Sequence, residues 1–369
     1  MSNPQAIAAT LTLLRRLAAP ASLDYPATDF GPGLDWGGVV AFASAQLVLP
    51  ALFPAIEALG PAVPEAAQEF FLRIHAANAA RNVVMHDALL SISGALNRHG
   101  IEPIVLKGAA LLASRPKQPV AWRFLSDLDL LVSAEGLPQA VAALVEIGYA
   151  PREADYDPAR DAHYPALIAP SGRFAVELHT RLFAERCLPA LEVRLPAAAK
   201  LVQRDGVRYR LPTPADRIAH LIVHAQSHHR HFATHRLLMR GFFELSIVLG
   251  NVPASETLTA ALEPFESHQE QRMAMSYLAA FRRLLAPAAD LGDLEASDLA
   301  WADTAIAGLG QSPGWRASVA AISLAGREAW RSLGDSAQLQ RHLGTLLSPA
   351  KLRSRLARHR DRLRQAYWA

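Results

Sequence analysis

Apolar and polar positions change their period twice along the chain. Residues 65–100 carry apolar side chains at helical spacing and end in a polar stop with a glycine, which predicts a long helix. Five segments with strand or short-helix patterns follow, in the order "IEPIVLKG", "AALLASR", "RFLSDLDLLV", "EGLPQAVAALVEIGY" and "RFAVELHTRLF". Strand, helix, strand, helix, strand predicts a small α/β unit.

A second helical pattern begins at Thr213, after connectors that are rich in proline. Thr213 is suited to be an N-cap, and Pro214 takes the first helical position. The pattern stays helical to the end of the chain, with prolines as interruptions. We therefore predict an α+β fold with a helical region over residues 1–100, an α/β core over 101–212 and a C-terminal helical domain with a basic tail over 213–369.

An uncharged stretch at residues 36–56 is about long enough to cross a bilayer. Pro50 and Pro54 break helical hydrogen bonding there, so a buried helix followed by a proline-bounded turn is the favoured interpretation. No basic-then-apolar leader opens the chain, and a single cysteine, Cys187, excludes an internal disulfide framework. We expect a cytoplasmic protein with no membrane span.

The composition is that of a folding protein, with 51% hydrophobic and 19% charged residues. The formal net charge is only +3, and residues 351–369 alone carry seven lysines and arginines against Asp361. A globally basic nucleic-acid binder is therefore not indicated. The tail itself could dock on an anionic membrane or on RNA, but a solvated helix pinned by its leucines is the preferred interpretation.

Two carboxylates, Asp127 and Asp129, interrupt the apolar strand "RFLSDLDLLV". Residues i and i+2 share one face of a strand, so the two acids project to the same side. Their mutual repulsion is relieved by a cation, and Mg²⁺ is bound by one or two carboxylates together with substrate phosphates. Glu177 in "FAVELH" is a candidate third carboxylate, with His179 on the same face. A lone pair of this kind is more often an exposed strand edge or a helix-capping pair; the flanking "KG" and "ELH" favour the metal site.

The junction "VLKGAALL" ends one strand and starts a helix at Gly108. Glycine lets the backbone approach a phosphate, and free amides at a helix N-terminus favour an anion. Lys107 adds a charge, and Arg123 lies four residues before the first carboxylate. A phosphate-binding turn with a carboxylate pair is what metal-assisted phosphoryl or nucleotidyl transfer requires.

Four segments, "VLKGAALL", "WRFLSDLDLLV", "AVAALVEIGY" and "AVELHTRLF", in this order, resemble poorly characterised nucleotidyltransferases of the DNA polymerase β-like superfamily. The resemblance covers roughly residues 30–250 in order and spacing. It implies a mixed sheet with two metal-binding acids and a third acidic ligand. Carried over, Asp127 and Asp129 bind the metals, Glu177 completes the set, and Lys107 and Gly108 hold the triphosphate. Better-known members have Gly-Ser where this chain has Lys-Gly.

Six of the fourteen histidines fall between His220 and His235. His220, His224 and His228 recur every four residues and would stack along one helix face. They could line the active-site cleft, bind a metal such as Zn²⁺ or form an ordinary polar face. Because the resemblance reaches this helix, we predict that His224 and His228, like Arg123 and His179, belong to the nucleotide-binding residues.

The leading hypothesis is a nucleotidyltransferase that uses Mg²⁺ or Mn²⁺ and moves NMP from an NTP, with ATP as the expected nucleotide. The acceptor would be a hydroxyl or phosphate on a peptide, protein or small molecule; a nucleic acid is not expected. A second hypothesis is a non-catalytic, nucleotide-binding regulatory protein, either toxin–antitoxin-like or an accessory factor in peptide tailoring. RNA binding through the basic tail is a third.

Overall fold

The computed structural model describes residues 3–18, 30–114, 121–152, 156–159, 161–183, 187–228, 231–286, 291 and 294–309. The helices in these residues are α1 (Pro4–Ala18), α2 (Trp36–Ala45), α3 (Phe53–Leu59), α4 (Glu65–Asn97), α5 (Lys107–Ser114), α6 (Leu137–Glu146), α7 (Pro189–Ala198), α8 (Pro214–Val223), α9 (His231–Thr234), α10 (Met239–Leu249), α11 (Ala254–Leu262), α12 (His268–Leu284) and α13 (Ala296–Ala307). The strands are β1 (Ile104–Val105), β2 (Asp127–Leu131), β3 (Ala150–Pro151), β4 (Leu167–Ile168), β5 (Ala175–His179), β6 (Lys200–Arg204) and β7 (Val207–Leu211).

The seven strands form one mixed sheet in the order β3-β4-β5-β2-β1-β7-β6. The central pair, β2 and β5, is parallel, and β1 is antiparallel to β2 but parallel to β7. Helical regions lie on both sides of this sheet in the sequence, so the predicted α+β class is confirmed. The division into three domains at residues 100 and 212 stays a prediction.

The strongest sequence signals correspond to observed elements. The segment around the acidic pair is β2, and its alternate residues Leu128 and Leu130 are fully buried. Thr213 caps α8, because its hydroxyl accepts a hydrogen bond from the Asp216 amide, and Pro214 is the first helical residue. Both predictions rest on local chemistry, which the rest of the fold does not override.

The region between β5 and α8 differs from the expectation of simple connectors. It contains α7 and a hairpin in which β6 pairs with β7, closed at Asp205 and Gly206. Both turn residues have positive φ, 49° and 77°, as a two-residue hairpin turn requires. Several β6 residues are exposed, so the strand lacks the apolar alternation that would have announced it.

The uncharged stretch at residues 36–56 folds into α2, a 3₁₀ turn at Leu49–Ala51 and the start of α3. Its apolar side chains contribute to the core, including Val39, Phe42 and Leu52. In the described part of the chain, no single helix is long and apolar enough to cross a membrane; α2 and Leu49–Ala62 pass that test only as a pair bent by 120°.

Two hydrophobic clusters stabilise the molecule. One packs α4, α5 and α6 against the sheet, with Met85, Leu111 and Leu144 among its members. The other joins α1–α3 to α8–α13, with Leu13, Phe42 and Phe281 among its members. The N-terminal and C-terminal helices thus share a core, which places α8 and α10 beside the sheet. The basic tail at residues 351–369 lies outside the described residues.

Candidate active site

The predicted acids lie side by side at the centre of the sheet. In the parallel pair β2–β5, Asp129 is directly opposite Glu177, and Asp127 is opposite Ala175. Asp127, Asp129, Glu177 and His179 line one cavity of about 520 Å³. We call this cavity the carboxylate cavity. The i, i+2 spacing therefore places both aspartates on one face, as predicted from the strand period.

Asp129 is the most deeply buried of the three acids, with 4% of its surface exposed. Its Oδ1 accepts hydrogen bonds from Lys107 Nζ at 2.5 Å and from His179 Nε2 at 3.0 Å. The same His179 nitrogen lies 3.6 Å from Oε2 of Glu177. Lys107 and His179 thus both donate to Asp129, and His179 also lies beside Glu177.

The charge balance appears in the pKa values of the four groups. Burial opposes ionisation of Asp129, but Lys107 and His179 outweigh it and hold the Asp129 pKa well below its usual value. Burial likewise opposes the charge on Glu177, and the hydrogen bond from His179 lowers the Glu177 pKa. Against the cost of their own burial, Asp129 raises the pKa of both Lys107 and His179. The contacts with Lys107 and His179 therefore favour the ionised forms of Asp129 and Glu177.

Asp127 has a different environment. Burial raises its pKa to about 6, and repulsion from Asp129 and Glu177 adds to the effect, while Lys107 opposes it only in part. No ion pair to Asp127 is found among the described residues. A buried carboxylate without a cation partner carries an electrostatic cost, which a bound cation would remove.

The donor set fits a divalent cation. One oxygen each of Asp129 and Glu177 and one nitrogen of His179 lie within 4.8 Å of one another. Oxygen donors of this kind suit Mg²⁺ and Mn²⁺. Asp127 is not a member of this tightest set, whereas His179 is. His179, predicted as a nucleotide contact, therefore lies in position to ligate a metal or to hold Glu177.

Arg123 is held by two long-range contacts. Its backbone carbonyl accepts hydrogen bonds from Asn78 and Asn82 of α4, at 3.0 and 2.7 Å. Its Nε donates to Oε2 of Glu244 on α10 at 2.9 Å, and both side chains are buried. The guanidinium lines the carboxylate cavity while remaining paired.

The Lys107–Gly108 junction opens α5, as predicted, but its glycine has a clear packing role. A Cβ on Gly108 would overlap Leu125 and lie 3.0 Å from Nη2 of Arg123. Lys107 adopts φ 48°, a conformation that a lysine rarely takes and that other contacts must hold in place. Both residues line the carboxylate cavity. Their contact with a triphosphate stays a prediction.

Of the three histidines spaced four residues apart, His220, His224 and His228, only His224 is found in the wall of the carboxylate cavity among the residues whose side chains are described. His224 lines the carboxylate cavity, and its ring packs against that of His220 at 6.2 Å. Residues His224–His228 form a π-helical turn, so the expected four-residue stacking on one α-helix face does not continue through them. The side chain of His228 lies outside the described residues.

Sequence reasoning missed Arg240, His163 and Tyr277. Arg240 lies on α10 and lines the carboxylate cavity, and its charge interacts with Asp127 and Asp129. His163 Nε2 lies 4.0 Å from Glu177. A signal for Arg240 did exist, because Arg240 and Glu244 are the only charges in the otherwise apolar segment "LLMRGFFELSIVL".

Comparison with known protein families agrees with this geometry. A family described as "Uncharacterised nucleotidyltransferase" matches residues 32–263. The chain belongs to this family. The resemblance inferred from the order of its motifs is thereby confirmed. A comparison with curated proteins gives no match.

The matched range of this nucleotidyltransferase contains every residue of the carboxylate cavity. It also contains α10, which supplies Arg240 and Glu244 from outside the sheet. The family match supports nucleotidyl transfer as the general activity, and the acidic cluster supports a metal site.

Proposed function

We propose that this protein is a Mg²⁺-dependent or Mn²⁺-dependent nucleotidyltransferase that transfers NMP from an NTP, with ATP as the expected donor. The acceptor is a hydroxyl or phosphate on a peptide, protein or small molecule. The observation that carries the proposal is the pairing of Asp129 with Glu177 across β2 and β5, with Asp127 beside them in one cavity. The family match gives independent support.

In this proposal Asp127 and Asp129 hold the cation, and Glu177 completes the ligand set or orients the acceptor. A divalent ion would neutralise charge on the α-phosphate and lower the pKa of the attacking hydroxyl. The acceptor oxygen then bonds to the α-phosphorus as the bond to the β-phosphate oxygen breaks, and pyrophosphate leaves. The proton of the hydroxyl passes to a carboxylate of the site.

Lys107 and His179 have a defined part in this scheme. They donate to Asp129, which would otherwise be a buried carboxylate without a partner. When a cation binds, the positive charge of Lys107 becomes available to an incoming phosphate. The predicted phosphate contact of Lys107 is compatible with its ion pair on this basis.

The direct test uses α-labelled ATP with a panel of peptide, protein and small-molecule acceptors. Wild-type protein is expected to label an acceptor and release pyrophosphate, and Asp127→Asn and Asp129→Asn are expected to lose more than about 99% of that activity. Asp205→Asn, in the β6–β7 turn, is the matched control and should retain activity. Equal labelling by wild type and Asp127→Asn would end the metal assignment.

A second candidate is nucleotide binding without turnover, as a regulatory or accessory protein would require. The ion pair between Lys107 and Asp129 favours it, because that pair occupies an oxygen that a catalytic metal needs. Calorimetry separates the two functions. Mg²⁺-dependent ATP binding with no pyrophosphate release under any acceptor supports the regulatory function, and release supports the enzyme.

A further inference from the structure

A smaller chamber lies behind the carboxylate cavity, between α8, α10 and α12. We call it the inner recess. Its volume is about 60 Å³. Its walls include Arg217, His220, His231, Arg240, Glu244 and Tyr277. It shares Lys107, Arg123, His224 and Arg240 with the carboxylate cavity, so the two chambers adjoin.

Arg240 brings a positive charge to the recess, and the charges of Glu244, Asp127 and Asp129 act on it without a direct contact. Glu244, which also lines the recess, is engaged with Nε of Arg123. Among the residues that the structure describes, the guanidinium of Arg240 forms no ion pair or side-chain hydrogen bond. Burial, together with the nearby charge of Arg123, lowers the pKa of Arg240 to about 10, which still leaves it protonated at neutral pH.

Tyr277 supplies a second, independent feature. Its side chain is 3% exposed, and its hydroxyl has no hydrogen-bond partner in the described part of the chain. The backbone opposite is Gly241, where a Cβ would lie 2.6 Å from that hydroxyl. Buried hydroxyls are normally satisfied, so an unpaired hydroxyl on a residue that lines the recess indicates that something else accepts its proton.

The size of the recess restricts what that acceptor can be. A water molecule needs roughly 10–15 Å³ of such space, so the recess holds about four to six waters. That space suits a phosphate group. The Arg240 guanidinium and the Tyr277 hydroxyl are both donors, which suits an anion with several acceptor oxygens.

We propose that the inner recess binds one phosphate group, which forms an ion pair with Arg240 and accepts a hydrogen bond from the Tyr277 hydroxyl. The site itself is independent of metal binding. Which molecule carries the phosphate rests on the proposed function: it is either the terminal part of the triphosphate or a phosphate on the acceptor.

The test is a calorimetric titration of the full chain with inorganic phosphate at pH 7.5, without divalent ions. Wild type is expected to bind. Arg240→Met should weaken binding roughly 10- to 100-fold, and Tyr277→Phe roughly tenfold. The control is Arg283→Met on α12, which removes an exposed arginine paired with Asp303 and should leave the affinity unchanged.

Both variants are designed to preserve the fold. Arg240→Met removes a charge that forms no ion pair with the described residues, and Tyr277→Phe removes a hydroxyl that bonds to no described residue. Neither variant therefore breaks a side-chain hydrogen bond or an ion pair of the described residues. Circular dichroism checks this point, and Tyr277→Phe decides the question if Arg240→Met does not fold. No phosphate binding by wild type, or equal affinity in wild type and Tyr277→Phe, would overturn the proposal.

A competition experiment distinguishes the two sources of phosphate. Displacement of phosphate by ATP, with ATP itself weakened by Arg240→Met, assigns the recess to the nucleotide. If wild type saturated with ATP still binds phosphate, and Tyr277→Phe weakens that binding, the recess belongs to the acceptor. Both results support an anion site.

The proposal and the proposed function can fail separately. Asp127→Asn should bind inorganic phosphate at least as well as wild type, because it removes a carboxylate near Arg240. Phosphate binding that depends on Arg240, in a protein that transfers no nucleotide to any acceptor, would support the recess and contradict only the enzyme. Nucleotide transfer by wild type, with a phosphate affinity that neither Arg240→Met nor Tyr277→Phe changes, would support the enzyme and contradict the recess.

Discussion

The stability of the metal-free protein should increase when Asp127 is replaced by asparagine. The folded-state pKa of Asp127 is raised to about 6 from an ordinary value of 3.8, chiefly by burial and then by Asp129 and Glu177. Ionised Asp127 therefore destabilises the fold at neutral pH, by about 3 kcal/mol for a difference of this size. Asp127→Asn has nearly the same shape and no charge, so it removes that cost.

The pH window follows from the sign of the change. A group whose pKa is higher in the folded state contributes stability that is fully present below its unfolded value and is lost as pH rises through the folded value. Asp127→Asn should thus exceed wild type by up to about 3 kcal/mol above pH 6, and the difference should disappear below about pH 4.

Urea unfolding in EDTA between pH 4 and pH 8 measures this difference, with Asp205→Asn in an exposed turn as the control. Adding Mg²⁺ at about 1,000 times its Kd should reverse the order, because it stabilises wild type by about 4.1 kcal/mol, which exceeds the cost of about 3 kcal/mol, and Asp127→Asn binds it poorly. An Asp127→Asn protein that is less stable than wild type at pH 7.5 in EDTA would refute this account of the site.

Two further substitutions test how the site is built. Lys107→Met should lower the free energy of unfolding in EDTA by about 3–5 kcal/mol, because it leaves buried Asp129 without its closest cation. The control Lys200→Met, at an exposed position, should change the free energy of unfolding little. Equal stabilities of the two variants would contradict the role given to Lys107. Gly108→Ala should destabilise by about 1–3 kcal/mol, since its methyl group overlaps the side chains packed against it. Gly94→Ala, in the last turn of α4 with only ordinary contact, should instead stabilise by up to about 1 kcal/mol, and thermal unfolding of both variants checks the opposite signs.

The central part of the fold was predictable because its signals are local. The alternation around Asp127 and Asp129 specifies a strand with one polar face, and Thr213 with Pro214 specifies a helix start. The adjacency of β2 and β5 was not encoded locally. It depends on a parallel pairing that brings together residues 50 apart, and the family resemblance supplied what the period alone could not.

The contacts and elements that sequence reasoning missed have separate physical causes. Arg123 pairs with Glu244 across 121 residues, and such partners have no signature in sequence spacing. Arg240 was overlooked because an arginine on a helix ordinarily faces solvent. The β6–β7 hairpin was different, since Asp205-Gly206 is a turn signal that the exposed strands around it did not reinforce.

The most direct test of the central claim is a crystal structure of the full chain with Mn²⁺ and a non-hydrolysable ATP analogue. We predict an anomalous difference peak within about 2.5 Å of carboxylate oxygens of Asp127 and Asp129, with the α-phosphate of the analogue as a further ligand. Lys107 Nζ should then have moved away from Asp129. An absent peak, with Lys107 still bonded to Asp129 at full nucleotide occupancy, would contradict the claim that these acids form a metal site.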